Sequence, residues 1–137
     1  MILLGTSVVS AVLRRRSRGE AEEAVAKRVA TLLQGNHQVG LPGIVLQEVL
    51  SGIAERTQHE KLLAGLRESF PVILATEGDH LLAADLVGLA ARRGIALSTP
   101  DALIAAQAIN RNAGLFTSDA DFARLAWSGL KLFHRDP

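Results

Sequence analysis

The chain has 137 residues, 48% hydrophobic and 21% charged, which excludes a disordered polypeptide and fits one domain burying about two-thirds of its unfolded surface. Its 15 Lys and Arg against 14 Asp and Glu leave a formal net charge of +1, so a nucleic-acid site would have to come from a local patch. Cysteine and tyrosine are absent and aromatics make up 4%, which excludes disulfide frameworks, thiolate zinc sites and cysteine nucleophiles, argues against an aromatic platform for bases, and fits a reducing compartment.

Ile2-Leu3-Leu4 is a continuous apolar run, the pattern of a strand buried on both faces. Gly5-Thr6-Ser7 ends it and a helix is expected from Ser7 to about Leu13. Met1 to Leu13 is uncharged but shorter than the roughly 20 residues of a spanning helix. Arg14, Arg15 and Arg16 follow it, whereas a secretory signal carries its positive charge first. The expectation is a soluble cytoplasmic protein with no membrane association. Helices are expected over Gly19 to Leu33, Gly43 to Ala54, Thr57 to Glu68 and Asp79 to Arg93, with short strands at His37 to Leu41 and Pro71 to Leu74. Ile95-Ala96-Leu97 reads as a short extended piece. Ser98-Thr99-Pro100 opens the next helix, with a hydroxyl cap and Pro at the first helical position, and that helix ends near Asn112 to Gly114. Leu115 to Thr117 and Leu130 to Phe133 are the last expected strands.

Short apolar strands alternating with helices imply an α/β fold: a three-layer α/β/α sandwich around a central, mostly parallel sheet, in one domain over residues 1–137. Ligands of such sheets bind beyond the carboxyl ends of the strands. Those places are after Leu4, Leu41 and Phe116.

Carboxylates occur at each. Glu48 points away from the apolar face formed by Val45, Leu46, Val49, Leu50 and Ile53; by itself it reads as a solvated helix glutamate, although Ser51 and Gly52 would leave room for a metal or a phosphate. Asp101 sits in the first turn of its helix, at the tip of the apolar stripe Ile104, Ala105 and Ala108. That position suits a plain dipole-stabilising aspartate and a half-buried ligand equally, and the helix terminus is expected to favour the ionised form. Asp119 and Asp121 follow the strand Leu115 to Thr117. Asp121 is expected to cap the next helix and Asp119 to face the crevice. Three acids from separate segments at one sheet edge point to a divalent-cation site, since clustered carboxylates repel unless a cation or basic partner neutralises them. Such a cation supports phosphodiester hydrolysis.

At Met1-Ile2-Leu3-Leu4-Gly5-Thr6-Ser7-Val8, Leu46-Gln47-Glu48-Val49, Thr99-Pro100-Asp101-Ala102-Leu103-Ile104-Ala105-Ala106 and Leu115-Phe116-Thr117-Ser118-Asp119-Ala120-Asp121-Phe122, the chain resembles PIN-domain proteins. Within them it resembles the VapC-type toxin ribonucleases of bacterial toxin–antitoxin pairs. Each segment is short, but their order and spacing cover nearly the whole chain. The resemblance implies a parallel sheet with acids at one end and Mg2+- or Mn2+-dependent endoribonuclease cleavage of structured RNA, such as tRNA or rRNA. By position Glu48 matches the family's second acid, Asp101 the third and Asp119 the fourth, with Asp121 the weaker alternative. Thr6 and Ser7 match the hydroxyl residues that hydrogen-bond within the site. The departure is Gly5, which stands where the family has its first aspartate and offers no side-chain ligand. The intact surroundings favour an inactivating change over a natural loss of chemistry, and in either case weak metal binding and poor cleavage are expected. The resemblance further implies a homodimer and a VapB-type antitoxin that wraps the toxin and places a basic side chain in its acidic pocket.

Arg14, Arg15, Arg16 and Arg18 form a basic run that reads either as a solvated face or as a phosphate-contacting patch, with Lys27-Arg28 and Arg92-Arg93 as extensions. Thr57 to Phe70 could supply a groove or dimer surface. His37, His59, His80 and His134 have no metal-like spacing. The competing function is a non-catalytic module that binds RNA or an antitoxin on the same fold. A receiver-type signalling domain is disfavoured, because no acidic pair follows the first strand and no suitable lysine follows the last.

Overall fold

Five short strands, all paired in parallel, form the sheet in the order β3-β2-β1-β4-β5 in a computed structural model that describes residues 1–13 and 19–133. They are β1 (Ile2–Leu4), β2 (Val39–Pro42), β3 (Val72–Ile73), β4 (Gly114–Phe116) and β5 (Lys131–Leu132). The helices are α1 (Thr6–Leu13), α2 (Glu20–Gln34), α3 (Gly43–Ser51), α4 (Arg56–Ser69), α5 (Glu77–Arg92) and α6 (Thr99–Asn110), and a 3-10 helix spans Ala120–Ser128. The expected mostly parallel α/β architecture is therefore observed.

The apolar run Ile2-Leu3-Leu4 becomes the central strand, buried along its whole length. Leu3, Leu4, Leu41 and Leu115 are fully enclosed. Gly40 allows this packing, since a Cβ there would lie 2.8 Å from Ile73 Cγ1 and 3.0 Å from Leu3 Cδ2. The chain moves from β1 outward to β2 and β3, then returns through α5 and α6 to β4 on the other side of β1. Right-handed crossovers in opposite directions put the helices after β1 and β2 on one face and those after β3 on the other. Within these layers α1 packs on α2 and α5 on α6. The strand order reverses between β1 and β4, and the crevice at such a reversal is the usual ligand site of an open parallel sheet.

Ile95-Ala96-Leu97, read as a short extended piece, joins no strand of the sheet and connects α5 to α6. Pro100 lies one residue inside α6 rather than at its first position, with Ser98 as the cap. Arg14, Arg15, Arg16, Arg18 and His134 lie outside the described residues.

An ion pair with one buried partner, Asp79, joins the start of α5 to the end of α6. Asp79 is 1% exposed and receives hydrogen bonds from both terminal nitrogens of Arg111 (3.1 and 3.0 Å), from Asn110 Nδ2 (2.8 Å) and from the Thr76 amide (2.9 Å). It also completes the capping box of α5 with Thr76. Burial pushes its carboxyl up, but the bonds from Arg111, Thr76 and Asn110 and the charge of Arg111 outweigh that and hold it at about 2. A lowered acid contributes stability that is present above the usual 3.8 and is lost as pH falls through about 2. Asp79→Asn should therefore cost about 3 kcal/mol at pH 7. It should also remove the part of the acid-induced loss that falls in that window, both read by urea unfolding across pH.

Candidate functional site

The ends of β1 and β4 lie side by side, with Leu4 opposite Phe116 and the Gly5 amide donating to the Phe116 carbonyl at 2.9 Å. That pairing brings Gly5-Thr6-Ser7 beside Thr117-Ser118-Asp119. Thr117 and Ser7 share a hydroxyl–hydroxyl bond at 3.3 Å. Ser7 Oγ accepts from the Ser118 amide at 3.0 Å, and Thr117 Oγ1 accepts from the Asp119 amide at 3.0 Å. The two hydroxyls thus fix the turn that carries Asp119. Thr117 escaped the sequence reading, although a threonine two residues before an aspartate at a strand end has the spacing of a side-chain turn.

Glu48 is on the solvent side of α3, as its pattern indicated, and its Oε1 accepts the Thr6 hydroxyl at 2.8 Å. α3 and α6 approach one another, and the negative charge of Glu48 reaches Asp101. Asp101 is half-buried in the first turn of α6, under the Ser98 cap. Its carboxyl lies above the usual 3.8, first because of burial and then through the negative charges of Asp119, Glu48 and Asp121, against a hydrogen bond with Ser98. Burial and the three neighbouring acids thus act against the ionised form that the helix terminus was expected to favour. One correction concerns capping. Asp119, not Asp121, caps the 3-10 helix, its side chain accepting from the Asp121 amide at 2.9 Å.

Glu48, Asp101, Asp119 and Asp121 therefore act on one electrostatic neighbourhood. They are not gathered into a ligand cage, for among the described residues no group of three acidic or histidine side chains stands ready to hold a metal. Gly5, beside Thr117 at the end of β1, contributes no side-chain oxygen. Its backbone does not demand glycine, because it is not among the left-handed residues. A Cβ there would lie 3.2 Å from Thr117 Cβ and 3.3 Å from its Oγ1, so a side chain at this position requires Thr117 to yield by a few tenths of an ångström.

The PIN domain family model matches residues 2–128. The chain is a member of the PIN-domain family. Solved structures with the same fold include VapBC2 from Rickettsia felis bound to a DNA fragment from their promoter, at 23% identity and a TM-score of 0.80, covering 99% of this chain and 100% of that one. FitAcB from Neisseria gonorrhoeae matches at 24% identity and a TM-score of 0.77, covering 98% and 97%. VapBC-1 from nontypeable Haemophilus influenzae matches at 23% and 0.77, covering 97% of each. No curated protein sequence matches the chain. PIN domains are in general nucleases that use divalent metals. Among the described residues of this one, no helix is long and apolar enough to cross a membrane.

An acid raised in the folded state costs stability once it ionises. For Asp101 that cost is absent below 3.8, sets in as pH rises and is complete above the raised value. Asp101→Asn should thus raise the urea midpoint at pH 7 without divalent cation, and the gap should close near pH 3. A lower midpoint at pH 7 would contradict this reading of the pocket.

Proposed function

We propose that this PIN domain is the toxin of a toxin–antitoxin pair, a VapC-type Mg2+- or Mn2+-dependent endoribonuclease acting on structured RNA such as tRNA or rRNA in the cytoplasm, and that Gly5 impairs it. The observation that carries the reading is the charge of Glu48, Asp119 and Asp121 felt by half-buried Asp101. Support also comes from the toxin–antitoxin complexes among its structural neighbours. The donor chemistry suits a hard divalent cation, since the site offers carboxylate oxygens whose repulsion such an ion relieves. Asp101, Asp119 and Glu48 would hold it, with Asp121 behind them and the Gly5 position left without a ligand. When bound, the ion would polarise the phosphodiester and neutralise developing charge.

The chain's own groups prepare the rest. Thr6 donates to Glu48 Oε1 and so orients that carboxylate, while the attacking water gives its proton to solvent. The water oxygen bonds to phosphorus, the P–O bond to the leaving oxygen breaks, and that oxygen takes a proton from solvent. Ser7 and Thr117 keep Asp119 in place. Arg14, Arg15 and Arg16, outside the described residues, are proposed as RNA phosphate contacts.

Partners follow from two surfaces. An apolar groove of about 960 Å3 runs between α1, α2 and α4, lined by Leu13, Ala26, Leu33, Leu62 and Leu66 with Lys61 at its side. It would take an amphipathic helix of a VapB-type antitoxin, whose basic residue would reach the acids. Exposed Leu74, Leu81 and Leu89 would be covered in a homodimer. Leu62→Asp should weaken antitoxin binding at least about tenfold while leaving RNA cleavage by an otherwise active chain intact.

The alternative, a non-catalytic RNA- or antitoxin-binding module, is favoured by Gly5 alone. Gly5→Asp decides between them. It should raise Mg2+-dependent cleavage of tRNA or rRNA by at least about 100-fold, and Asp101→Asn added to it should abolish the gain. No gain from Gly5→Asp would contradict the nuclease reading.

A further inference from the structure

We propose that Arg93 and Arg124 form a phosphate grip at the lip of the acid pocket, and that Trp127 is the residue that positions the Arg93 guanidinium. The inference rests on the ribonuclease reading above. An RNA strand carries negative charge into a pocket that already holds four carboxylates, so a productive complex needs fixed positive charge beside them. Arg124 supplies it from the 3-10 helix, where it shares a small recess with Leu97, Asp101, Asp121 and Phe122. Trp127 lies at the end of the same helix. Its indole Nε1 donates to the Arg124 carbonyl at 2.8 Å, and the Arg93 guanidinium stacks on its ring at 4.2 Å from the centroid.

The two arginines differ from Arg111 and Arg56. Arg111 is committed to buried Asp79 and Arg56 to Glu60. Among the described residues no ion pair engages Arg93 or Arg124, and both are exposed. A guanidinium held over an indole face keeps N–H donors for a further partner, and holding it there removes freedom that phosphate binding would otherwise have to remove. Trp127, half-buried, is thereby an arginine holder and not a base platform.

The test is binding of a labelled tRNA transcript to the whole chain without divalent cation, read by anisotropy over a salt series. Arg93→Ala with Arg124→Ala should weaken binding about tenfold at low salt and flatten the log–log salt slope by about 1.4, about 0.7 for each single-strand phosphate that is no longer neutralised. Trp127→Ala should weaken it in the same direction, and Trp127→Phe, which keeps a ring, should restore most of the affinity. Arg67→Ala, on α4, should change nothing. An unchanged slope in the double variant overturns the grip. So does a weakening by Trp127→Ala that Phe does not rescue, or a weakening confined to binding of the antitoxin protein. A Gly5→Asp chain that cleaves RNA with that slope unchanged overturns the grip and leaves the nuclease reading. RNA held through these arginines but not cleaved by the Gly5→Asp chain does the reverse.

Discussion

Repulsion among carboxylates around the first turn of α6 is the constraint on which the rest of the site depends. Asp101 is half-buried, and burial alone disfavours its charge; Asp119, Glu48 and Asp121 disfavour it further. A fold optimised only for stability would not bring these groups to one end of a sheet. Their grouping makes the pocket receptive to positive charge, whether a hard cation or an arginine of a partner.

Two elements hold the acids against this repulsion. Parallel pairing of β1 with β4 fixes Gly5 to Ser7 beside Thr117 to Asp119, and the hydroxyls of Ser7 and Thr117 lock the second segment by accepting its backbone amides. On the other side of the molecule, the Asp79–Arg111 pair ties α5 to the end of α6. Asp79 and Asp101 show opposite outcomes for two partly or wholly buried aspartates. One has an arginine and is driven down; the other has acids for neighbours and is driven up. The first is structural, and the second fits a functional group whose neutralising partner comes from outside.

Much of this was legible in the sequence. Ile2-Leu3-Leu4 and Leu115-Phe116 announced central strands because a strand buried on both faces must be apolar throughout. Ser98 announced the start of α6 because a helix leaves its first amides in need of an acceptor. Ile95 to Leu97 marks the limit of that pattern, since three apolar residues do not reveal whether a neighbouring strand exists to pair with them. The capping roles of Asp119 and Asp121 are separated by the geometry of one turn, which composition cannot encode. The direction of ionisation at Asp101 depended on distances between segments far apart in the chain. The Asp79–Arg111 pair was hidden likewise, although Thr76-x-x-Asp79 carries the spacing of a capping box. The stacking of Arg93 on Trp127 had no local signal, since it joins two segments more than thirty residues apart.

The most direct measurement of the central claim is paramagnetic broadening of the chain's NMR signals by Mn2+ added in small steps. The expected result is selective loss of signals from residues 5–7, 48, 101 and 117–121 at the lowest additions, with the surroundings of exposed Glu60 and Glu68 spared. Broadening spread evenly over surface acids, or centred away from Asp101, would contradict a shared cation-receptive pocket.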